Sequence, residues 1–298
     1  MDFLNFYLIP GLVLGTIYAM GAIGVSLIFG ILRFAHFAHG DMMTLGAYLA
    51  LPFVLGLGWS PYLALPMAMI GAAICAVAID RLFYKPLRDK PTIILLVASF
   101  GIALMLRSVI QFIWGPLGQV YEKGFQKPLR LDFLLDGLRI QERHIYMVLL
   151  AAFLVTLMHL FLTRTKTGKA MRALSDDPEL ARVSGINTEY IVMWTWVLGA
   201  SLAGAGGVLL GMDTQINTLM GWNMLLPVFA AAILGGIGKP YGAIAGGLVI
   251  GMAEELSAYP IIGDTALLSP TYKSGVAFAI MVAMLLWRPS GLFRGRVY

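Results

Sequence analysis

The apolar stretch FYLIPGLVLGTIYAMGAIGVSLIFGIL at residues 6–32 decides the fold class of this chain. It exceeds the length of about 20 apolar residues with which an α-helix crosses the hydrocarbon core of a membrane. A cleavable signal peptide has a basic start and an apolar core of only about 7–15 residues, whereas no lysine or arginine precedes this stretch. We therefore expect residues 6–32 to be retained as a transmembrane helix.

Further apolar segments recur along the 298 residues, and together they predict an all-α, polytopic transmembrane helical bundle that forms a single membrane domain, 1–298. Apolar residues make up 59% and charged residues 12% of the chain, whereas a soluble domain has about half and about one quarter. Several segments are shorter than about 18 residues, so some are expected to be half-helices or re-entrant pieces. The segments are 6–32, 43–58, 61–80, 92–114, 144–163, 190–212, 224–238, 241–257 and 274–287.

The lysines and arginines between the apolar segments indicate on which side of the membrane each connection lies. Connections 81–91 and 164–189 are basic, as is the tail with Arg294 and Arg296, while 213–223 contains no basic residue. Because cytoplasmic loops carry an excess of lysine and arginine, the three basic regions are assigned to the inside. We therefore expect nine crossings, with the N-terminus outside and the C-terminus inside.

Two glycine-containing interruptions separate short apolar pieces, FAHFAHGD at 34–41 and LGGIGKPYGAIAGG at 234–247. Paired interruptions in the two halves of a membrane protein are typical of an inverted repeat whose irregular backbone lines a cavity. The alternative is that each interruption is an ordinary tight loop between two helices. Close helix packing is predicted by pairs of glycines four residues apart, which are Gly11 and Gly15, Gly207 and Gly211, Gly242 and Gly246, and Gly247 and Gly251.

A polar segment, 164–187, lies between two long apolar runs and includes GKAMRALSDDPELARVSGIN. Its Asp-Asp-Pro-Glu run at 176–179 is typical of a helix start, because an Asp side chain caps free N–H groups and Pro suits the first turn. Gly185 is a natural left-handed stop. We predict two short helices whose apolar side consists of Met171, Leu174, Leu180 and Val183. The segment either lies on lipid headgroups or docks a soluble motor.

Ionisable residues inside the apolar segments are candidates for function, because a charge at the bilayer centre costs about 2.5–3.5 kcal/mol on insertion scales. Arg107 lies within 92–114 and should face the bundle or extend toward an interface. Glu254 and Glu255 lie near the end of 241–257. They are either a helix-end pair in contact with water or part of a pathway or gate.

The patterns required for nucleotide, metal or catalytic chemistry are not found in this sequence. A phosphate-binding loop needs G-x-x-x-x-G-K followed by Ser or Thr, but Lys169 and Lys239 are each followed by a residue without a hydroxyl. His36 and His39 are three residues apart with no other ligand close in sequence, which favours hydrogen bonding near the interruption over a metal site. We predict no catalytic, cofactor or metal residues, and any ATP site must lie on another chain.

Several motifs resemble the permeases of the branched-chain amino acid family of ABC importers. They are the polar segment, FAHGD at 37–41, RLFYKPLRDKP at 81–91, AAAILGGIGKPYGAIAGGLVIGMAEEL at 230–256 and WRPSGLF at 287–293. The resemblance runs essentially end to end and is closest to the H-type (LivH-type) subunit. This chain departs from the family pattern at His36, where Asn is common, and at Asp41, where Glu is usual. Both departures adjoin the first interruption, where they could tune substrate choice.

The resemblance implies a bacterial inner-membrane permease that works beside a second, LivM-type permease, two ATPase subunits of the LivG and LivF types and a periplasmic binding protein, with no nucleic-acid partner. ATP would bind the partner subunits. The residues expected to couple to the ATPase are Gly168, Met171, Arg172, Ala173, Asp176, Asp177, Leu180, Ala181 and Gly185. The pathway or gating candidates are His36, His39, Asp41, Arg107, Gly235, Gly236, Gly238 and Glu254.

The substrate expected from this resemblance is a branched-chain amino acid, and three alternatives remain open. Urea or a short-chain amide is the nearest competitor, because the family also contains importers of these solutes. A self-contained secondary carrier would use Arg107 or Glu254 to respond to a proton or ion gradient and would need no ATPase. A passive channel for a small polar solute would leave the polar segment without a purpose.

Overall fold

The computed structural model describes residues 3–121, 129–130, 139–260, 269 and 272–293. Its regular structure is almost entirely helical, and every predicted apolar segment lies on a helix, which confirms the all-α bundle. Arg294 and Arg296 of the basic tail lie outside the described residues. The helices are α1 (Ile9–Leu32), α2 (His39–Leu51), α3 (Pro61–Ile79), α4 (Lys85–Leu87), α5 (Thr92–Trp114), α6 (Glu142–Arg164), α7 (Lys166–Asp176), α8 (Pro178–Val183), α9 (Thr188–Asp213), α10 (Met220–Gly235), α11 (Pro240–Ser257) and α12 (Lys273–Trp287).

Three π-helical turns extend these helices, at Leu4–Leu8 before α1, Pro52–Gly56 after α2 and Asp80–Tyr84 between α3 and α4. Two short strands, β1 (Leu129–Arg130) and β2 (Arg139–Ile140), pair antiparallel before α6. The π-helical turn at Asp80–Tyr84 makes α3 and α4 one continuous helix from Pro61 to Leu87.

Five helices of the described chain are long and apolar enough to cross a membrane, so the protein is a multi-pass membrane protein. The spans containing α1 and α9 are 83% and 72% buried over their most apolar windows, whereas those containing α3, α5 and α6 are buried over a third or less. The first two helices therefore form the centre of the bundle, and the other three lie around it. The five spans are Leu4–Leu32, Pro61–Leu87, Thr92–Trp114, Glu142–Arg164 and Thr188–Asp213.

One end of the bundle, which we call the coupling end, carries the polar segment. Here α1 finishes against α7 and the α10–α11 turn, since a Cβ added to Gly30 would lie 3.2 Å from Cα of Gly238 and 3.3 Å from the Ser175 hydroxyl. The chain after α12 reaches the same turn, where Leu292 N donates to Leu234 O at 2.9 Å. The WRPSGLF and LGGIG motifs therefore meet at this end.

The opposite end brings together the beginning of α1 and the end of α11, where the rings of Tyr7 and Tyr259 lie 5.1 Å apart. The start of α6 joins the end of α9 there, through a 3.2 Å contact between His144 Nε2 and Asp213 Oδ1. Helices α1 and α6 thus run toward the coupling end, and α9 and α11 run away from it.

The first predicted interruption lies inside the bundle. Helix α1 ends at Arg33, which has left-handed backbone geometry with φ 58°. The chain then bends through residues 34–38, and α2 begins beside the middle of α1, where a Cβ on Gly24 would lie 2.6 Å from the His39 ring. Helix α2 is therefore a partial helix that begins inside the bundle. The irregular backbone before it is surrounded by protein, as irregular backbone within a membrane requires.

The second predicted interruption, 234–247, is an ordinary turn between antiparallel helices at the coupling end, so the paired-interruption hypothesis was wrong for these two segments. The backbones of Gly235 and Gly242 touch and leave no room for a Cβ, which holds α10 against α11. The turn itself needs Gly236 and Gly238, whose φ values are 104° and 81°. These glycines have a structural explanation that involves no solute.

A different irregular segment, 214–219, precedes α10 and pairs with the first interruption instead. Ile216 is fully buried and exchanges two backbone hydrogen bonds with Gln119, at 2.8 and 2.9 Å. Helix α10 then begins against the start of α2, where Gly221 N donates to the Thr44 hydroxyl at 3.0 Å. The first turns of two partial helices therefore meet within the bundle.

The glycine pairs pack helices closely, as predicted. Gly15 and Gly251 bring α1 and α11 into backbone contact, and Gly207 does the same for α9 against Met43 of α2. In lipid the hydrophobic effect does not drive helices together, so such close van der Waals contact is a principal source of association.

Replacing Gly247 by Leu is expected to lower the melting temperature in detergent by roughly 5 °C or more. A Cβ there would lie 2.5 Å from Ala19 N and 2.6 Å from Ala19 Cα, and backbone atoms cannot move aside as a side chain can. Gly275→Leu in α12 is the matched control, because a Cβ at that position meets nothing within 4 Å. Equal melting temperatures for the two variants, measured by thermal unfolding, would contradict the packing argument.

Candidate functional site

A membrane-embedded ion pair joins two of the predicted pathway residues. Asp41 lies in the first turn of α2 and its side chain is fully buried. Arg107 on α5 donates from Nε to Oδ1 at 3.1 Å and from Nη2 to Oδ2 at 3.2 Å. This two-point geometry is the strong form of an arginine–carboxylate pair. The carboxylate also suits the positive N-terminal end of α2.

Aromatic side chains complete the surroundings of this pair. The Arg107 guanidinium carbon lies 5.0 Å from the centre of the Trp222 ring, within the range of a cation–π interaction. Phe100 meets Trp222 edge to face at 5.7 Å. Trp222 lies in the first turn of α10, so the interaction joins α5 to both partial helices. No local pattern singled out Trp222, because its contact with Arg107 depends on how α10 enters the bundle.

The ion pair adjoins a surface that we call the α5–α10 face. On α5 its members recur at helical spacing, and on α10 they occupy one side of the first two turns. Gln111 Nε2 donates to the Thr218 hydroxyl at 3.0 Å and links α5 to the irregular segment before α10. Except for Arg107, whose side chain is 15% exposed, the members are exposed on this chain. The α5–α10 face comprises Phe100, Leu104, Arg107, Ser108, Gln111, Trp222, Asn223 and Leu226.

The two predicted histidines occupy a buried aromatic cluster instead. His39 faces α1, while the His36 ring lies 4.9 Å from the Trp196 ring and 5.6 Å from the Tyr84 ring. Neither nitrogen of His36 has a hydrogen-bond partner among the described residues. The expectation that it satisfies backbone groups was therefore wrong for His36. Over the described ranges, no group of three His, Cys, Asp or Glu residues is placed to hold a metal ion.

The two glutamates of α11 separate into different environments. Glu254 is buried between α11 and α1, where it accepts a hydrogen bond from the Tyr18 hydroxyl at 2.5 Å. Glu255 forms an ion pair with Lys273 of α12 at 2.7 Å. The pair is therefore not two helix-end carboxylates in water. Glu254 is part of the α1–α11 contact and does not belong to the α5–α10 face.

The polar segment forms two capped helices at the coupling end, and we call its residues 166–185 the coupling segment, after the role that the resemblance implies for residues 164–187. The Thr165 hydroxyl accepts from Gly168 N at 2.9 Å and begins α7. Asp177 begins α8, its Oδ1 accepting from the N–H groups of Glu179 and Leu180 at 3.0 Å each. Gly185 ends α8 with φ 81°. The predicted helix start and stop are confirmed, and the caps fix the backbone of both helices.

The apolar side of the coupling segment is half buried and half exposed. Met171 and Leu174 are buried against this chain's own bundle, at 1% and 4% exposure. Leu180 and Val183 on α8 are instead 63% and 87% exposed. Of the other residues predicted to couple, Gly168 and Ala181 are buried, and the exposed ones are Arg172, Ala173, Asp176, Asp177 and Gly185. Only the exposed residues are available to a second protein in this structure.

An ion-pair network that the sequence did not reveal lies next to the coupling segment. Arg88, after α4, donates from Nη2 to both oxygens of Asp80 at 2.6 Å and from Nη1 to Glu189 at 2.7 Å. Lys85 also pairs with Glu189, at 2.8 Å. Because Glu189 is in the first turn of α9, the network joins the end of the α3–α4 helix to the point where the coupling segment enters the bundle.

A cavity of about 180 Å³ separates the network from the coupling segment. Its walls include Arg88 and Glu189 on one side and Leu174, Pro178 and Arg182 on the other. The two structures are therefore neighbours across a small space rather than a single packed unit.

A multi-pass helical bundle with two capped helices at one end and a buried ion pair is the architecture of a polytopic membrane protein. Residues 7–285 match the model of a protein family described as "Branched-chain amino acid transport system / permease component". This match identifies the chain as a permease component. The chain belongs to this family, whose members are membrane components and not enzymes.

Two related permease proteins match this chain over nearly their whole length, and a third matches over about two thirds of its own. The high-affinity branched-chain amino acid transport system permease protein BraD of Pseudomonas aeruginosa is 33% identical over 96% of this chain and 94% of its own length. The corresponding LivH protein of Escherichia coli K12 is 31% identical over 95% of this chain and 92% of its own. LivM of the same organism is 25% identical over 94% of this chain and 68% of its own length.

Proposed function

We propose that this chain is a permease subunit of an ATP-driven ABC importer that carries branched-chain amino acids across the bacterial inner membrane. The observation that carries the proposal is the coupling segment, which presents exposed apolar side chains on a rigid, capped backbone outside the membrane-spanning helices. The names of BraD and LivH describe transport systems for these amino acids, which supports the substrate class.

The proposed partners follow from what this chain has and what it needs. The sequence offers no phosphate-binding loop, so ATP would bind two ATPase subunits, one of which covers Leu180 and Val183. The exposed polar groups of the α5–α10 face call for a second permease of the LivM type, because polar groups at membrane depth require a protein or water-filled surrounding. A periplasmic binding protein would deliver the amino acid.

In the proposed mechanism, ATP closes the ATPase dimer and moves the coupling segment as a rigid body. Because Met171 and Leu174 anchor that segment in the bundle, its motion is passed to the helices above it. The bundle then changes between outward-open and inward-open arrangements. Apolar walls around the pathway would accept leucine, isoleucine or valine.

The test is uptake of radiolabelled leucine into proteoliposomes that contain the assembly purified through this chain, with the loaded binding protein added outside. ATP inside the vesicles is expected to be required, and a proton or ion gradient without ATP is expected to have no effect. Uptake of urea or acetamide in place of leucine would move the substrate to the competing class. Uptake by this chain alone, driven by a gradient, would establish a secondary carrier and exclude the proposal.

A further inference from the structure

The α5–α10 face combines polar and apolar groups in a way that neither lipid nor a dry helix contact accommodates. Ser108 and Gln111 of the α5 span and Asn223 of α10 are exposed on this face, beside exposed Phe100 and Leu226. The Ser108 hydroxyl and Gln111 Nε2 donate to partners on this chain, but hydrocarbon would leave the Gln111 amide oxygen and the Asn223 side chain unsatisfied, at a cost on the order of several kcal/mol each. The face therefore borders water, solute or hydrogen-bonding groups of the second permease when the complex is assembled.

Arg107 is the one charged residue of this face, and some of its hydrogen-bond donors are not used by Asp41. Its guanidinium carries five N–H donors, and the bonds to Asp41 use only those on Nε and Nη2. Nη1 has no hydrogen-bond partner among the described residues, and the side chain remains 15% exposed. A second carboxylate can thus approach the guanidinium from the face without breaking the existing pair.

Asp41 holds Arg107 in the orientation that such a carboxylate needs. The Asp41 side chain is fully buried and cannot itself meet a solute, but its two oxygens fix the plane of the guanidinium. The Trp222 ring supports the same group from another side, with its centre 5.0 Å from the guanidinium carbon. The cation is therefore held in place before any ligand arrives, which lowers the entropic cost of binding.

We propose that the α5–α10 face is a half-site for an α-amino acid with an apolar side chain. Arg107 receives the carboxylate of the amino acid, Asp41 acts as the positioning residue, and Phe100, Trp222 and Leu226 contact the apolar side chain. The facing permease subunit completes the site. This inference rests on the proposed function and names the substrate contact within it.

Arg107→Gln is expected to lower leucine uptake at least about tenfold, while ATPase activity stimulated by the loaded binding protein stays within about twofold of the original. Uptake falls while ATPase activity is retained because the substrate loses its carboxylate partner, whereas the ATPase subunits and the coupling segment are unchanged. Arg107→Lys keeps the charge without the planar fork and is expected to give intermediate uptake. Asp41→Asn should lower uptake with the same retained ATPase activity, and Asp41→Glu should restore part of it.

Lys273→Gln provides the matched control, because it removes a cation from another carboxylate pair, 2.7 Å from Glu255 and outside the α5–α10 face. It is expected to leave uptake unchanged. Parallel loss of uptake, ATPase activity and melting temperature in Arg107→Gln would assign Arg107 a purely structural role and overturn the inference. Loss of the second permease from the purified complex would instead mean that Arg107 pairs with that subunit, which also overturns it.

Different results would contradict the proposed function and the half-site. If the unaltered assembly takes up no leucine with ATP, the proposed function is wrong. If the unaltered assembly transports leucine and Arg107→Gln transports it equally well, the proposed function stands and only the half-site is wrong.

Discussion

Leu180→Glu is expected to remove the ATPase subunits from the purified assembly, with at least about a tenfold loss of bound ATPase per permease. Leu180 is 63% exposed on α8, and Val183 beside it is 87% exposed. A partner that covers these apolar groups would have to bury an unpaired carboxylate in the variant, which costs several kcal/mol. Quantitative mass spectrometry of the complex purified through this chain measures the ratio directly.

The variant should still fold and insert, because most of the Leu180 side chain does not contact its own chain. Leu57→Glu is the matched control, since Leu57 is a leucine of similar exposure, 61%, that follows α2 far from the coupling segment. It is expected to retain the ATPase subunits. If Leu180→Glu also retained them, the segment would lie on lipid headgroups instead of docking a motor, and the proposed function would lose its main support.

The coupling segment could be predicted from the sequence because its structure is decided by local interactions. The cap at Asp177 acts on N–H groups two and three residues ahead, and the stop at Gly185 depends on that residue's own φ. The apolar periodicity was also visible, but it could not show that Met171 faces the bundle while Leu180 faces outward. Which surface covers an apolar residue depends on tertiary structure, and periodicity does not contain that information.

The irregular segment before α10 could be predicted only in part. The connection 213–223 was recognised between two apolar segments and assigned to the outside, but its sequence did not show that Ile216 would be buried inside the bundle. The shape of residues 214–219 depends on the distant partners Gln119 and Thr44, which bond to Ile216 and Gly221. The glycine-rich stretch 234–247 gave a stronger local signal, but its glycines serve a turn and a close helix contact.

The charged residues within the apolar segments could also be predicted only in part. The free-energy cost of a charge inside the membrane singled out Arg107 in the sequence. The structure shows that its partner is Asp41, 66 positions away in the chain. Neither residue indicates the other by sequence spacing. The same holds for Arg88 and Glu189, which are 101 positions apart and lie in connections that appeared only as basic or polar.

The Arg88 network connects the α3–α4 helix to the first turn of α9, the helix that follows the coupling segment in the chain. Asp80 and Arg88 move with the α3–α4 helix, and Glu189 moves with α9, into which the coupling segment leads. A displacement of α9 would therefore be transmitted to α3 as long as the pairs hold. The link to α9 is the Arg88–Glu189 pair, in which Arg88 is 18% and Glu189 54% exposed, so solvent screens it less than the Lys85–Glu189 pair, which is exposed on both sides.

Arg88→Leu is accordingly expected to reduce leucine uptake at least about tenfold and to abolish the stimulation of ATPase activity by the loaded binding protein. The ATPase subunits should remain bound, because Leu180 and Val183 are unaffected. Removing Arg88 also leaves Asp80 as a buried carboxylate without its partner, which by itself costs about 3–5 kcal/mol. Arg88→Leu combined with Asp80→Asn removes that cost, so it should restore the melting temperature while transport stays uncoupled.

Lys85→Leu is the matched control for this prediction, because it too removes a cation from Glu189. The Lys85–Glu189 pair is more than half exposed on both sides, and exposed pairs contribute only about 0–1 kcal/mol. This variant is therefore expected to transport nearly as well as the original protein. Uptake assays that show equal defects for Lys85→Leu and Arg88→Leu, or full uptake for the Arg88→Leu and Asp80→Asn combination, would mean that the network supports folding alone and transmits no motion from the coupling segment.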